Sequence, residues 1–189
     1  ILRLFRDKVN KDAGANVIFI DKEKHEFDDI KTYQDLNAYI DERRNKKKTN
    51  YILVDEIQYI EKFEKSVRSY YEESDIEIVV TGSNSKMLSS DLSTLIGGRY
   101  KEIYIQALSY EEFMQFHQLK DSDETLAKYI QFGGLPGLVK MGLDEQDAHE
   151  YQTDVYHTVL LKDVIMRNKI RNVPFLENLV RFLADNAGK

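Results

Sequence analysis

Two acidic residues, Asp55 and Glu56, directly follow the apolar run Tyr51–Val54. The run is short and rich in β-branched and aromatic residues, which predicts a buried strand. Ligands collect at the carboxyl ends of strands in open α/β sheets, so both carboxylates would stand at a binding edge. An Asp there can hold Mg²⁺ through water, and a neighbouring Glu can polarise an attacking water. The structural alternative is that the two residues only end the strand and cap the helix after it.

A second polar cluster favours the chemical interpretation. The next predicted strand, Ile76–Val80, comes after one predicted helix and is followed directly by Thr81-Gly-Ser-Asn84. Parallel strands end at the same edge of a sheet, so this segment would lie beside Asp55 and Glu56. A hydroxyl or amide at that place can hydrogen-bond a γ-phosphate or the attacking water. The alternative is that the segment only forms a turn.

The elements that must position these residues alternate along the first 108 positions. Strands are predicted over 17–20, 51–54, 76–80 and 101–106, with helices between them. Thr32 and Asp35 predict the cap of one such helix. Continuous apolar strands separated by helices are typical of a parallel sheet that is covered on both faces.

The pattern becomes purely helical from Ser109 onward. Ser109 with Glu112 forms a capping-box sequence, and Asp144 with Asp147 opens a longer helix. We therefore predict two parts, an α/β core over 1–108 and a helical segment over 109–189.

The composition excludes several classes of protein. The chain has 189 residues, 42% of them apolar, which excludes a disordered or collagen-like chain. It has no Cys, which excludes a disulfide framework, a Cys-ligated zinc site and a Cys nucleophile, and indicates the cytoplasm. No apolar run has the roughly 18 residues of a membrane span. Arg43–Lys48 holds five basic residues in six positions, but the net charge of −6 favours a solvated loop over a nucleic-acid contact.

A set of short motifs occurs in a fixed order along the chain. They are Leu-Val-Asp-Glu-Ile-Gln58, Thr-Gly-Ser83, Gly-Gly-Arg99, Leu-Ser-Tyr-Glu-Glu-Phe113 and Phe-Gly-Gly-Leu-Pro136. The ordered set resembles archaeal and bacterial AAA+-like P-loop ATPases that carry a C-terminal domain of unknown function. The resemblance covers nearly the whole chain. It implies a parallel-sheet P-loop NTPase core, followed by an all-α lid and the start of the C-terminal domain.

The resemblance also implies roles for single residues. Asp55 and Glu56 match the Walker B pair, in which the Asp holds the metal and the Glu activates water. Ser83 or Asn84 matches sensor 1, which contacts the γ-phosphate. Arg99 matches the family's Gly-Arg, a phosphate-directed or intersubunit arginine. The cofactors implied for the complete protein are ATP and Mg²⁺.

One departure from the family pattern is large. A P-loop needs Gly-x-x-x-x-Gly-Lys-Ser/Thr between a strand and a helix. The chain's Gly-Lys pair is Gly188-Lys189, with Leu183 at the place of the first Gly. We therefore expect the chain to begin just after a P-loop and, as given, to bind ATP poorly and hold no cofactor. The missing first strand predicts a gap between the third and fourth strands, or one filled by another chain in an oligomer.

Two classes of function stay open on these residues. The first is an ATPase whose hydrolysis needs the complete protein. The alternative is a nucleotide-switched or nucleotide-free interaction module that docks an unidentified protein or a nucleic acid through its helical half. A third, DNA-associated role would use Arg43–Lys48.

Overall fold

The computed structural model describes residues 1–82, 97, 99–159, 164–165 and 168–187, apart from the side chains of 139 and 140. The chain divides into two compact units, Ile1–Glu102 and Ile103–Lys189. The first unit contains α1 (Leu2–Val9), β1 (Ala15–Asp21), α2 (Tyr33–Arg43), β2 (Thr49–Asp55), α3 (Phe63–Tyr70) and β3 (Ile76–Val80). The second contains α4 (Tyr110–His117), α5 (Asp123–Phe132), α6 (Glu145–His157) and α7 (Val173–Asp185). Short 3₁₀ helices lie at His25–Phe27, Ile57–Tyr59 and Pro136–Met141.

The three strands form one parallel sheet in the order β1-β2-β3. The register pairs Asp21 with Asp55 and Val54 with Val80, so the strands end side by side at one edge. The predicted α/β class with a parallel sheet is confirmed. Helical connections between parallel strands explain why each strand is a nearly continuous apolar run.

Both faces of the sheet are covered by helices. Alternate residues of the strands pack with α2 and α3 in one cluster that includes Ile18, Ile20, Ile52, Val54, Leu36, Ile40, Phe63 and Val67. The other face carries α1, whose Phe5 ring lies 6.4 Å from the Tyr51 ring and whose Arg6 stacks 5.0 Å from the Phe19 ring. Each fully buried aliphatic or aromatic side chain contributes about 1.5–3 kcal/mol relative to exposure. The core therefore lies against the sheet that positions the acidic edge.

The predicted helix starts form with their side-chain caps. Thr32 accepts from the Asp35 N–H at the start of α2, and the Asp35 carboxylate accepts from the Thr32 N–H in return. Ser109 and Glu112 make the same reciprocal pair at α4. Asp144 accepts from two backbone N–H groups at the start of α6. These contacts satisfy backbone donors that have no partner within a helix, so the local sequence is enough to predict them.

A buried amide anchors the amino-terminal edge of the sheet. Asn50 in β2 is fully buried, and its Oδ1 accepts from Asn16 Nδ2 at 2.8 Å across to β1. Asn50 Nδ2 lies 3.0 Å from the Lys48 carbonyl and 3.0 Å from an Asp75 carboxylate oxygen. Asp75 also accepts a hydrogen bond from Arg44 Nε at 3.0 Å. The buried polar groups are thereby satisfied, as a stable interior requires.

The strand predicted over 101–106 is not formed. In the structure this stretch is irregular, and Ile103, Tyr104 and Ile105 are 70%, 71% and 64% exposed. A strand is held by hydrogen bonds to a neighbouring strand, and within the described ranges β3 pairs with β2 alone. The β-branched and aromatic residues at 103–105 were therefore not sufficient for a strand. Because no fourth strand forms at 101–106, the gap between the third and fourth strands stays a prediction.

The helical unit has its own small core. Phe132, Leu138 and Ala148 are buried together, and the fully buried Phe113 packs with the Tyr129 ring at 5.3 Å. The Leu108 N–H donates to the Gly134 carbonyl at 2.7 Å, and Tyr129 Oη donates to the Leu108 carbonyl at 2.9 Å.

Among the helices that the structure describes, none has the length and apolar character needed to cross a membrane.

Candidate functional site

Thr81 joins the ends of β2 and β3 at the carboxyl edge of the sheet. Its hydroxyl donates to the half-buried Asp55 carboxylate at Oδ1 and accepts from the Glu56 N–H at 3.3 Å. Its own N–H donates to the Val54 carbonyl at 2.9 Å, and its carbonyl accepts from the Ile57 N–H at 3.0 Å. Thr81, the residue after β3, therefore contacts both acidic residues at the end of β2.

Glu56 occupies an unusual backbone conformation. Its φ of 55° and ψ of 49° lie in the left-handed region, which costs a residue with a Cβ about 1–2 kcal/mol. Such strained residues cluster at functional sites, where the surrounding contacts hold them in place. Here the contacts are the two Thr81 bonds on the backbone and a hydrogen bond from Gln58 Nε2 to Glu56 Oε2. The turn therefore holds the Glu56 carboxylate in a defined position next to Asp55.

A third carboxylate, Asp21, lies beside Asp55 at the end of β1. The two residues are register partners in neighbouring strands, and Asp21 is only 1% exposed. Arg3 Nη2 in the first turn of α1 donates to Asp21 Oδ2 at 2.7 Å, and the Glu23 N–H donates to Asp21 Oδ1 at 3.2 Å. Burial disfavours the charged carboxylate, but these hydrogen bonds and the Arg3 charge outweigh it and hold the pKa of Asp21 below its usual value. The first turn of α1 therefore lies at the acidic edge.

The predicted site residues do not all lie at the acidic edge in the described part of the structure. Asp55 and Glu56 are brought together with Thr81, whereas Ser83 and Asn84 lie outside the described residues. Arg99 is exposed, and its Nη1 donates to Tyr71 Oη at 3.1 Å.

Arg99 therefore does not contact the acidic edge. Tyr71 follows the last residue of α3, and Ile76 begins β3 shortly afterwards, so this end of α3 lies toward the amino-terminal edge of the sheet. The hydrogen bond to Tyr71 raises the pKa of Arg99 above its usual value. The guanidinium stands over the Tyr71 ring, with its carbon 6.0 Å from the ring centre.

The donor set of the acidic edge suits Mg²⁺ that arrives with a phosphate ligand. Within the described ranges, no group of three or more His, Cys, Asp or Glu residues could hold a metal ion by itself. Mg²⁺ is usually bound by one or two carboxylates together with substrate phosphates and water, rather than by an all-protein cage. A single anchored carboxylate such as Asp55, with a hydroxyl beside it, fits that mode of binding.

The basic run Arg43–Lys48 is partly engaged within the fold. Arg44 forms ion pairs with Asp75, and the Arg43 guanidinium stacks 3.7 Å from the Tyr39 ring. An arginine held in an ion pair is less available for a phosphate backbone. These contacts favour the solvated-loop interpretation of the run.

We expect the replacement of Thr81 by Val to lower the free energy of unfolding by about 1.5–3 kcal/mol, because the hydroxyl is bonded to a carboxylate. Val keeps the shape of Thr but leaves the Asp55 oxygen and the Glu56 N–H without this partner. Urea unfolding measures the change. Thr81→Ser keeps the hydroxyl and is the control, so equal losses for Val and Ser would show that the hydroxyl contributes nothing.

Sequence reasoning missed four residues that build this edge: Arg3, Asp21, Gln58 and Thr81 as an anchor. Asp21 gave a signal, because it ends an apolar run in the same manner as Asp55. Arg3 gave none, since an ion pair between positions 3 and 21 depends on how α1 packs.

Comparison with known proteins agrees with the fold. A family model for the AAA domain matches residues 1–114. An "Uncharacterized protein" of Haemophilus influenzae is 31% identical over 196 residues, covering 100% of this chain and 48% of the relative. "Uncharacterized protein MJ1544" of Methanocaldococcus jannaschii is 28% identical over 186 residues, covering 93% of this chain and 42% of the relative.

The chain thus spans slightly less than half the length of these curated relatives. No solved structure gives a significant match. The family match covers the three parallel strands, α1 to α3 and the acidic edge, and extends into α4. This chain therefore belongs to the AAA domain family.

Proposed function

We propose that this chain carries the metal-binding and water-activating part of an ATP-hydrolysing site in a longer, cytoplasmic AAA-type protein. The observation that carries the proposal is the Thr81 hydroxyl, which joins Asp55 and Glu56 at one edge of a parallel sheet. Asp55 would hold Mg²⁺, which neutralises charge on the phosphates when bound. Glu56 would orient and polarise the attacking water. The hydrogen bond from Gln58 supports this role, because it keeps the Glu56 carboxylate in one orientation.

The remaining predicted residues have roles in the proposal as well. Ser83 or Asn84, two and three positions after Thr81, would contact the γ-phosphate. Arg99 would act in an oligomer, on the nucleotide of a neighbouring subunit, rather than in its own site. Its exposure and its contact with Tyr71, away from the acidic edge, support that choice.

ATP binding further requires a phosphate-binding loop. The first turn of α1 lies at the acidic edge, where Arg3 contacts Asp21, and the helix is held on the sheet by Phe5 and Arg6. A loop directly before α1 would therefore lie beside Asp55, where helix N–H groups can hold phosphates. The strand before such a loop would pair with β3, which within the described residues pairs only with β2. We infer that the whole protein supplies both elements.

Calorimetry with ATP and Mg²⁺ tests the proposal on two chains. One is the 189-residue chain, and the other adds the residues that precede Ile1 in the whole protein. We expect heat of binding from the longer chain and little or none from the shorter one. Absence of binding in both would contradict the proposal and leave Asp55 and Glu56 as a strand end.

A second candidate is an interaction module that binds a protein partner with or without nucleotide. It is favoured by α7, in which Phe175, Phe182 and Leu183 are 63%, 63% and 59% exposed. Exposed apolar side chains on one helix are typical of protein-binding surfaces. A longer chain that binds ATP without turning it over, and binds its partner only in the presence of ATP, would favour this candidate over the ATPase.

A further inference from the structure

The two register-paired aspartates have different surroundings. Asp55 is half-buried and bonded to a neutral hydroxyl, whereas Asp21 is almost fully buried and bonded to a cation. Neighbouring strands are roughly 4.8 Å apart, so the Arg3 guanidinium lies close to both carboxylates. Among the contacts described for Arg3, its side chain forms a hydrogen bond and ion pair with Asp21 and with no other residue.

Arg3 also interacts electrostatically with Asp55. Its pKa is raised first by the hydrogen bond and charge of Asp21, and further by the charges of Asp55 and Glu23. The Arg3 side chain is 60% exposed, so burial does not prevent it from moving. Arginine stays charged at every ordinary pH and pairs readily with carboxylates. A guanidinium released from Asp21 could therefore pair with Asp55, the register partner of Asp21.

An arginine paired with Asp55 would compete with a metal ion. Both cations need the same carboxylate oxygens, and each reduces the negative charge that attracts the other. A site that binds Mg²⁺ mainly through one anchored carboxylate is sensitive to this competition, because the metal then depends on that carboxylate.

We propose that Asp21 is a positioning residue that holds Arg3 away from Asp55 and so keeps Asp55 available to the metal. The inference rests on the proposed function, in which Asp55 holds Mg²⁺. It assigns Asp21 no contact with nucleotide or metal. Its effect passes through Arg3.

The test uses the whole protein and measures how much Mg²⁺ gives half-maximal binding of a fluorescent ATP analogue. Asp21→Asn keeps the shape of the side chain but releases Arg3. We expect it to raise the Mg²⁺ concentration needed for half-maximal binding by about tenfold, which corresponds to about 1.4 kcal/mol of binding free energy. Arg3→Met added to Asp21→Asn removes the competing cation, so the requirement should return to near the unsubstituted value. This rescue distinguishes positioning from a structural role, because the second substitution adds no stabilising contact.

Two further variants keep the inference testable if Asp21→Asn unfolds, which circular dichroism would reveal. Arg3→Met alone should leave the Mg²⁺ requirement unchanged or lower it. Arg6→Met is the matched control on the same helix, since Arg6 pairs with the exposed Asp7. A raised requirement in Arg3→Met would show that Arg3 assists binding directly and would overturn the inference.

The outcomes also separate this inference from the proposed function. If the unsubstituted protein shows no Mg²⁺-dependent binding of ATP, the proposed function fails and the inference fails with it. If binding is normal and Asp21→Asn leaves it unchanged, only the inference is overturned. Equal impairment of Asp21→Asn and the double variant would assign Asp21 a purely structural role and would overturn it as well.

Discussion

Replacing Glu56 by Gln in the whole protein is expected to slow ATP turnover by about 10²–10⁴-fold, the usual contribution of a positioned general base. Gln has nearly the same shape as Glu and accepts a hydrogen bond through its amide oxygen, so the contact from Gln58 can persist. It cannot take a proton from water. Nucleotide binding should therefore remain, which places the loss in kcat rather than in KM.

Steady-state hydrolysis and fluorescent-nucleotide titration together measure this prediction. Glu61→Gln is the matched control, because it makes the same charge change a few residues away on an exposed side chain paired with Lys62. The control should retain full turnover. Turnover that survives in Glu56→Gln would remove Glu56 from the mechanism and leave its left-handed backbone conformation without a catalytic explanation.

Replacing Gly134 by Ala should be the most damaging single methyl addition in the helical unit. A Cβ built at Gly134 would lie 2.2 Å from the Leu108 carbonyl oxygen and 2.8 Å from the Leu108 nitrogen. Both are backbone atoms, so no side-chain rotation relieves the overlap. The substitution would separate Leu108 from Gly134 and break their 2.7 Å hydrogen bond. We expect a loss of about 3 kcal/mol in the free energy of unfolding, from overpacking and the lost bond together.

Hydrogen exchange locates the damage from Gly134→Ala. Amides of α4 and α5 should lose protection, while amides of β1, β2 and β3 should keep theirs, since the two units have separate cores. Gly14→Ala is the control, because a Cβ there would lie 3.3 Å from the side chain of Asp12, which can rotate away. Equal unfolding midpoints for the two variants would show that the backbone at Leu108 can move aside without lowering the free energy of unfolding.

The sheet and the helix caps were predictable because their signals are local. Three runs of mainly apolar residues are bounded by polar residues, and all three form parallel strands: Val17–Ile20, Tyr51–Val54 and Ile76–Val80. Capping boxes depend on residues three positions apart, so the Thr32 and Ser109 caps could be predicted from sequence alone.

The strand predicted over 101–106 failed because pairing is not a local property. Its sequence resembles the confirmed strands, yet a strand also needs a neighbour of suitable geometry, and the neighbour does not appear in the sequence pattern. Tyr71 as the partner of Arg99, and Arg3 as the partner of Asp21, were hidden for the same reason. What could be predicted at the acidic edge was the placement of Asp55 and Glu56, and what could not was the set of contacts that hold them.

The paired amides of Asn16 and Asn50 have a consequence for the opposite end of the sheet. A slip of one residue between neighbouring strands turns every side chain to the other face of the sheet. In a slipped alignment Asn50 would lose its hydrogen bond from Asn16, at a cost of about 0.5–1.5 kcal/mol. The two amides therefore penalise alignment errors during folding. The two amides lie about 16 Å along the strands from Asp21 and Asp55. They favour the register in which these two aspartates are partners.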